Sequence, residues 1–152
     1  MPDSGLLQIK ASIKILKPAH EVFEAIADPG KMSNYFIASG TGRMEGGKTV
    51  TWKFPEFDME FPVKIGKVDK DRFISFTWTD MQGKDTQVEI TLEPFRNDET
   101  VVKITEGMKA PDEAGIAWLG QNTEGWANFL ACLKAYLEYG INLRKGAFDM
   151  KS

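Results

Sequence analysis

The chain has 152 residues, 42% hydrophobic and 27% charged, with 19 basic and 22 acidic side chains giving a formal charge of -3. That length and balance fit a single domain over 1–152 with a sizeable core and exclude a disordered chain. No stretch gathers Lys or Arg into a phosphate-neutralising stripe, and no segment nears the roughly 20 apolar residues of a membrane span, so neither nucleic acid nor a membrane span is expected.

Met1 to Leu7 carries neither the basic nor the apolar part of a signal peptide, and one cysteine, Cys132, suits a reducing compartment. The expected location is therefore cytoplasmic. Leu7, Ile9, Ala11, Ile13 and Ile15 then alternate with polar residues, which predicts a half-buried strand ended by Pro18. From Ala19 the spacing becomes helical through Val22, Phe23, Ile26 and Ala27, and Asp28-Pro29 stops it. A second short helix runs through Met32 and Tyr35.

After Ala38 the period returns to two. Val50, Trp52 and Phe54 form one inward phase, Met59, Phe61, Val63 and Ile65 the next, then Ile74, Phe76 and Trp78, then Val88, Ile90 and Leu92, then Val102, Ile104 and Glu106. Turns are marked by Gly46-Gly47, Pro55-Glu56, Asp69 to Asp71, Gln82-Gly83-Lys84 and Arg96 to Asp98. Short turns between consecutive strands imply an antiparallel meander with one polar and one apolar face. The last segment, Trp118 to Tyr139, is helical, and Leu119, Asn122, Trp126, Leu130, Leu133 and Leu137 lie within roughly 40° of Trp126 at about 100° per residue. Such a helix is about 33 Å long and needs cover along its length. The expected fold is α+β: a curved seven-stranded antiparallel sheet around a long C-terminal helix, with two short helices between strands 1 and 2.

A strongly curved sheet cannot close on one helix along its whole length, and rings and methionines suit the remaining void. The expected pocket is lined by Trp52, Phe54, Met59, Phe61, Phe76, Trp78, Asn122 and Trp126, with Tyr35, Met108 and Trp118 capping its opening. The expected partner is an apolar small molecule. Asn122 interrupts the apolar stripe, and its amide needs partners that either the protein or a ligand supplies. Glu106 is in phase with Val102 and Ile104; pointing inward, it either orients a ligand hydroxyl or acts as a general acid/base, unless it reaches water at a frayed strand end.

Nucleophilic catalysis of the Ser-His or Cys-His kind is not expected. The only histidine, His20, stands at the start of the first helix and reads as a surface residue, and Cys132 reads as a small packing residue at the stripe's edge. No Cys/His cluster is present, and Asp69, Asp71 and Asp80 are isolated in turns, so no metal and no cofactor is expected.

The element order, the run Ile13-Lys14-Ile15-Leu16-Lys17-Pro18-Ala19-His20-Glu21-Val22-Phe23, the Gly46-Gly47 turn, and Gly125-Trp126 followed by Leu130, Leu133, Tyr136, Leu137, Glu138 and Gly140 resemble one superfamily. It is the START-related, birch-pollen-allergen-like superfamily, and the similarity within it is to the family of the activator of the heat-shock-protein-90 ATPase. The resemblance spans Leu7 to Gly140 and implies a helix-grip fold with a hydrophobic cavity for lipids, steroids, polyketides or similar molecules. Two alternative roles stand beside this one: a co-chaperone-like regulator of an ATPase through protein contacts, or a cyclase or isomerase using the same cavity with the inward Glu106 as base. The chain departs from the family pattern where Tyr35-Phe36 replaces a tryptophan and where Lys48 follows the glycine pair, both near the expected cavity mouth.

Overall fold

Alternation in the first nine strand residues and proline at both ends of the first helix set the opening of the fold. The computed structural model describes residues 5–79, 83–148 and 150; Asp80, Gln82 and the first four residues of the Met1 to Leu7 stretch lie outside them. The order is β1 (Leu7–Ile15), α1 (Ala19–Ala27), α2 (Pro29–Met32), β2 (Ser39–Gly40), β3 (Thr49–Lys53), β4 (Glu60–Asp69), β5 (Phe73–Thr79), β6 (Asp85–Phe95), β7 (Glu99–Lys109) and α3 (Glu113–Tyr139). All seven strands join one antiparallel sheet in the order β1-β7-β6-β5-β4-β3-β2, so the α+β helix-grip expectation holds.

The short helices form where the sequence changes period. α1 buries Val22, Phe23, Ala25, Ile26 and Ala27, and Asp28 both ends it and caps α2 by accepting from Gly30 N–H at 2.8 Å. α3 starts five residues before Trp118. Its cap is Asp112, whose carboxylate accepts from Gly115 N–H at 2.7 Å, and a Cβ on Gly115 would lie 2.0 Å from the Ala110 carbonyl oxygen. That polar start carries no apolar stripe, so periodicity alone misses it. The other end is sharp, because Gly140 takes a left-handed conformation at φ 67° and donates back into the last turn.

α3 packs on β1 more than on any other strand. The far half of the sheet, β3 to β5, is reached from the helix through rings: Trp78 stands 5.6 Å and Phe76 6.4 Å from Trp126 between centroids. Trp52, behind them, meets Phe76 edge-on at 5.5 Å and Trp78 at 6.0 Å. The core is thus aliphatic under β1, β6 and β7 and aromatic under β3 to β5. No helix among the described residues is long and apolar enough to cross a membrane.

Candidate functional site

Where the aromatic half of the core meets α3, the packing opens into a cleft of about 380 Å³. Phe54, just after β3, Phe57, in the β3–β4 turn, and Phe61 of β4 form one wall. Trp78 of β5 and Trp126 of α3 form the floor, and Gln121, Asn122, Glu124, Gly125 and Asn128 give the helix side. Phe36, just after α2, faces Phe129 at 4.7 Å and Phe54 at 5.1 Å, edge to face in each case. The chain after α3 supplies the roof, through Arg144 and Phe148.

Arg144 is held by both charge and rings. Its Nη2 donates to Glu56 Oε1 at 2.7 Å, and the guanidinium carbon lies 5.5 Å from the Phe36 ring, 5.7 Å from Phe54 and 4.9 Å from Phe148. Its Nε is buried with no partner among the described residues. A second hollow of about 410 Å³ shares Phe36, Arg144 and Phe148 with the cleft, so the segment after α3 separates the two spaces.

Behind the floor sits Glu106, which is 0% exposed. β7 keeps its inward phase through Thr100, Val102, Ile104 and Glu106, so the carboxylate is carried into the core. Burying a carboxylate is costly unless hydrogen bonds compensate it. Here Oε2 accepts from Trp78 Nε1 at 3.0 Å and from the Thr86 hydroxyl at 2.5 Å, and Oε1 accepts from Trp126 Nε1 at 2.8 Å and from Asn122 Nδ2 at 3.3 Å. Two donors per oxygen fill the carboxylate's lone-pair sites. Glu106 therefore joins β5, β6, β7 and α3 at one point and has no vacant lone pair for a substrate proton. The partner of the Asn122 amide N–H is thus a protein carboxylate.

The other expected site residues divide. Phe54, Phe61, Trp78, Asn122 and Trp126 line the cleft, whereas Trp52 and Phe76 lie buried behind it. Met59 is 50% exposed, because β3–β4 pairing ends at Lys53 with Glu60 and Met59 lies beyond it in the turn. Met108 is 48% exposed, since the β6 ladder stops at Gly107 and no described residue pairs with β7 on that side thereafter. Tyr35 does not cap the cleft: it stacks on Tyr136 at 5.5 Å and its hydroxyl donates to the Ala25 carbonyl at 2.9 Å, in surroundings whose burial pushes the phenol well above its ordinary pKa. Trp118 is buried beneath the Lys109 ammonium, 5.3 Å from its ring, and lies away from the cleft. Lys48 pairs with Glu45 on the surface, away from the cleft mouth.

His20 is exposed, with Nδ1 3.0 Å from Asp71 Oδ1, and Cys132 is buried in the core, its thiol pushed up by burial and partly brought back by Arg144. Among the described residues no three His, Cys, Asp or Glu side chains gather as a metal site would need. Phe36, Phe57, Arg144 and Phe148, together with Thr79, Gln121, Glu124, Gly125 and Asn128, line the cleft and lie outside the set expected from periodicity. The available signal was Arg144, four residues after the glycine that stops the helix, followed four residues later by Phe148.

The model of one protein family, described as Activator of Hsp90 ATPase homolog 1-like protein, matches residues 17–138. Among solved structures, protein SSP2350 from Staphylococcus saprophyticus is 34% identical over 91% of this chain and 96% of its own, with a TM-score of 0.79. DynU16, a putative protein in the dynemicin biosynthetic locus, is 24% identical over 88% of this chain and 48% of its own, with a TM-score of 0.77. The Aha1 dimer from Colwellia psychrerythraea is 18% identical over 88% of this chain and 98% of its own, with a TM-score of 0.75. No curated protein matches the chain.

Proposed function

The chain belongs to the Activator of Hsp90 ATPase homolog 1-like family, within the START-related superfamily, and on that premise we propose that it binds and carries an apolar small molecule in the cleft. The cleft itself carries this reading. Its volume of about 380 Å³ falls in the range of small-molecule sites, and Phe36, Phe54, Phe61, Trp78 and Trp126 offer ring faces to a flat or acyl ligand. The polar groups at its rim, Thr79, Gln121, Asn122, Glu124, Asn128 and Arg144, include no histidine or cysteine to form a nucleophile–base pair, which suits retention of a ligand better than its conversion.

Two measurements test this. Native mass spectrometry of freshly purified protein should find a co-purified small molecule, and lipids or aromatic compounds should change the intrinsic tryptophan fluorescence saturably. Failure of every apolar probe, with no co-purified mass, would overturn the reading.

Family membership favours a second reading, regulation of a chaperone ATPase through protein contacts. The outer face of the sheet, where Lys64, Glu89 and Lys103 are exposed, would be the contact surface. It predicts recovery of an Hsp90-class chaperone by crosslinked pull-down and faster ATP turnover by that chaperone; neither effect would occur for a carrier alone.

A further inference from the structure

The arrangement around Glu106 fixes which atoms the floor of the cleft presents. A carboxylate accepts hydrogen bonds and does not donate them, so each group facing it must turn a donor toward it. Trp78 and Trp126 do so through their indole N–H groups, at 3.0 and 2.8 Å. Their only polar atoms therefore point away from the cleft, and what remains for a ligand is ring surface.

Asn122 has a donor end and an acceptor end. Its Nδ2 is directed at Glu106 Oε1, 3.3 Å away, which leaves Oδ1 as the free half of the amide on a residue that lines the cleft. No partner for Oδ1 occurs among the described residues. Arg144, the cation on the opposite side, is engaged with Glu56 through Nη2, and its Nε, without a partner among the described residues, is buried rather than exposed to a ligand.

We propose that Glu106 acts as a positioning residue which, through Asn122, makes the cleft select apolar ligands that carry a hydrogen-bond donor, such as a phenol or an alcohol. The proposal rests on the carrier reading and adds a chemical class to it. A ligand hydroxyl set against Asn122 Oδ1 makes a hydrogen bond to a half-buried amide; an ether or carbonyl there sets lone pair against lone pair and loses its water.

The test compares 2-naphthol with 2-methoxynaphthalene, which share a ring system and differ in the donor, by calorimetric titration of the full chain. The wild type should bind the naphthol about tenfold tighter, the effect of one hydrogen bond in such a site. In Asn122→Leu the two affinities should come within about twofold of one another, with methoxynaphthalene binding retained; a purely structural role for Asn122 would weaken both and leave their ratio unchanged. In Glu106→Gln combined with Thr86→Val, which removes the other hydroxyl acceptor beside the carboxylate, the new amide N–H is left Asn122 Oδ1 as its acceptor and the preference for the naphthol should shrink or invert; an undiminished preference in the folded variant would overturn the positioning role of Glu106. If that variant fails to fold, Asn122→Leu decides. Equal binding of both probes by the wild type, or an undiminished preference in Asn122→Leu, would overturn this inference and leave the carrier reading intact. Binding of neither probe would overturn both.

Discussion

The two halves of α3 meet the sheet differently. After Trp126, the residues Phe129, Leu130, Cys132, Leu133 and Ala135 are buried, and polar bonds lock the far end to β1 and the residue after it: Lys134 Nζ donates to the Lys14 carbonyl at 2.8 Å, and Glu138 accepts from Leu16 N–H at 2.7 Å. Before Trp126, Gln121, Asn122, Glu124 and Gly125 border open space, and the strands opposite present stiff rings that meet edge to face. Flexible aliphatic side chains interdigitate to crystal-like density, but large rings in fixed rotamers leave gaps where the surfaces diverge. One helix thus serves as the anchor of the core and as one wall of a pocket, and the change falls just after Trp126, with Asn128 the last helical residue on the cleft.

The contrast can be broken first at the anchor. Leu133 is 0% exposed, so Leu133→Ala should cost about 3 kcal/mol in chemical denaturation while leaving ligand affinity per folded molecule unchanged. A loss of affinity that exceeds the loss of folded protein would show that the two halves are coupled.

Glu138 probes the same end through pH. Burial raises its carboxyl, but the Lys134 hydrogen bond, the Leu16 N–H and the charges of Lys134 and Lys17 more than offset this, so its pKa stays below the ordinary 4.5. A depressed carboxylate contributes stability that is present above its unfolded value and lost as pH falls through its folded one. Glu138→Gln should therefore melt a few degrees below wild type at neutral pH (about 3 °C per kcal/mol for a domain of this size), with the gap closing as pH drops below about 4.5. A gap that does not narrow at all as pH falls below about 4.5 would contradict this origin.

On the open side, a Cβ at Gly125 would meet nothing within 4 Å. Gly125→Ala should stabilise the helix by about 0.5 to 1 kcal/mol. The added methyl enters the cleft, so bulky ligands should bind more weakly even as the melting temperature rises. The smallest effect belongs to Met59, exposed in the β3–β4 turn: Met59→Ser should change stability by less than about 0.5 kcal/mol and leave ligand binding unaltered.

The sheet was legible because alternation and turn residues are local signals; each inward phase from β3 to β7 matches the buried residues except at strand ends. Met59 and Met108 show why those ends fail. Side-chain phase continues on paper after pairing has stopped, and only the neighbouring strand's length decides whether the next residue is covered. Glu106 and Asn122 were legible as polar residues at inward positions, but their mutual bond joins β7 to a helix and has no periodic signature. Arg144 and Phe148 follow the last regular element, where no pattern predicts the path of the chain, and they reach the cleft because Glu56 and three phenylalanine rings hold Arg144 there.

The four tryptophans allow the central claim to be tested directly, since only Trp78 and Trp126 border the cleft while Trp52 and Trp118 are buried away from it. Titration of 2-naphthol into 15N-labelled protein, followed at the four indole N–H resonances, should move those of Trp78 and Trp126 saturably and together, with Trp118 unchanged. Movement of Trp118 alone, or no saturable movement at Trp78 and Trp126, would contradict the cleft as the binding site.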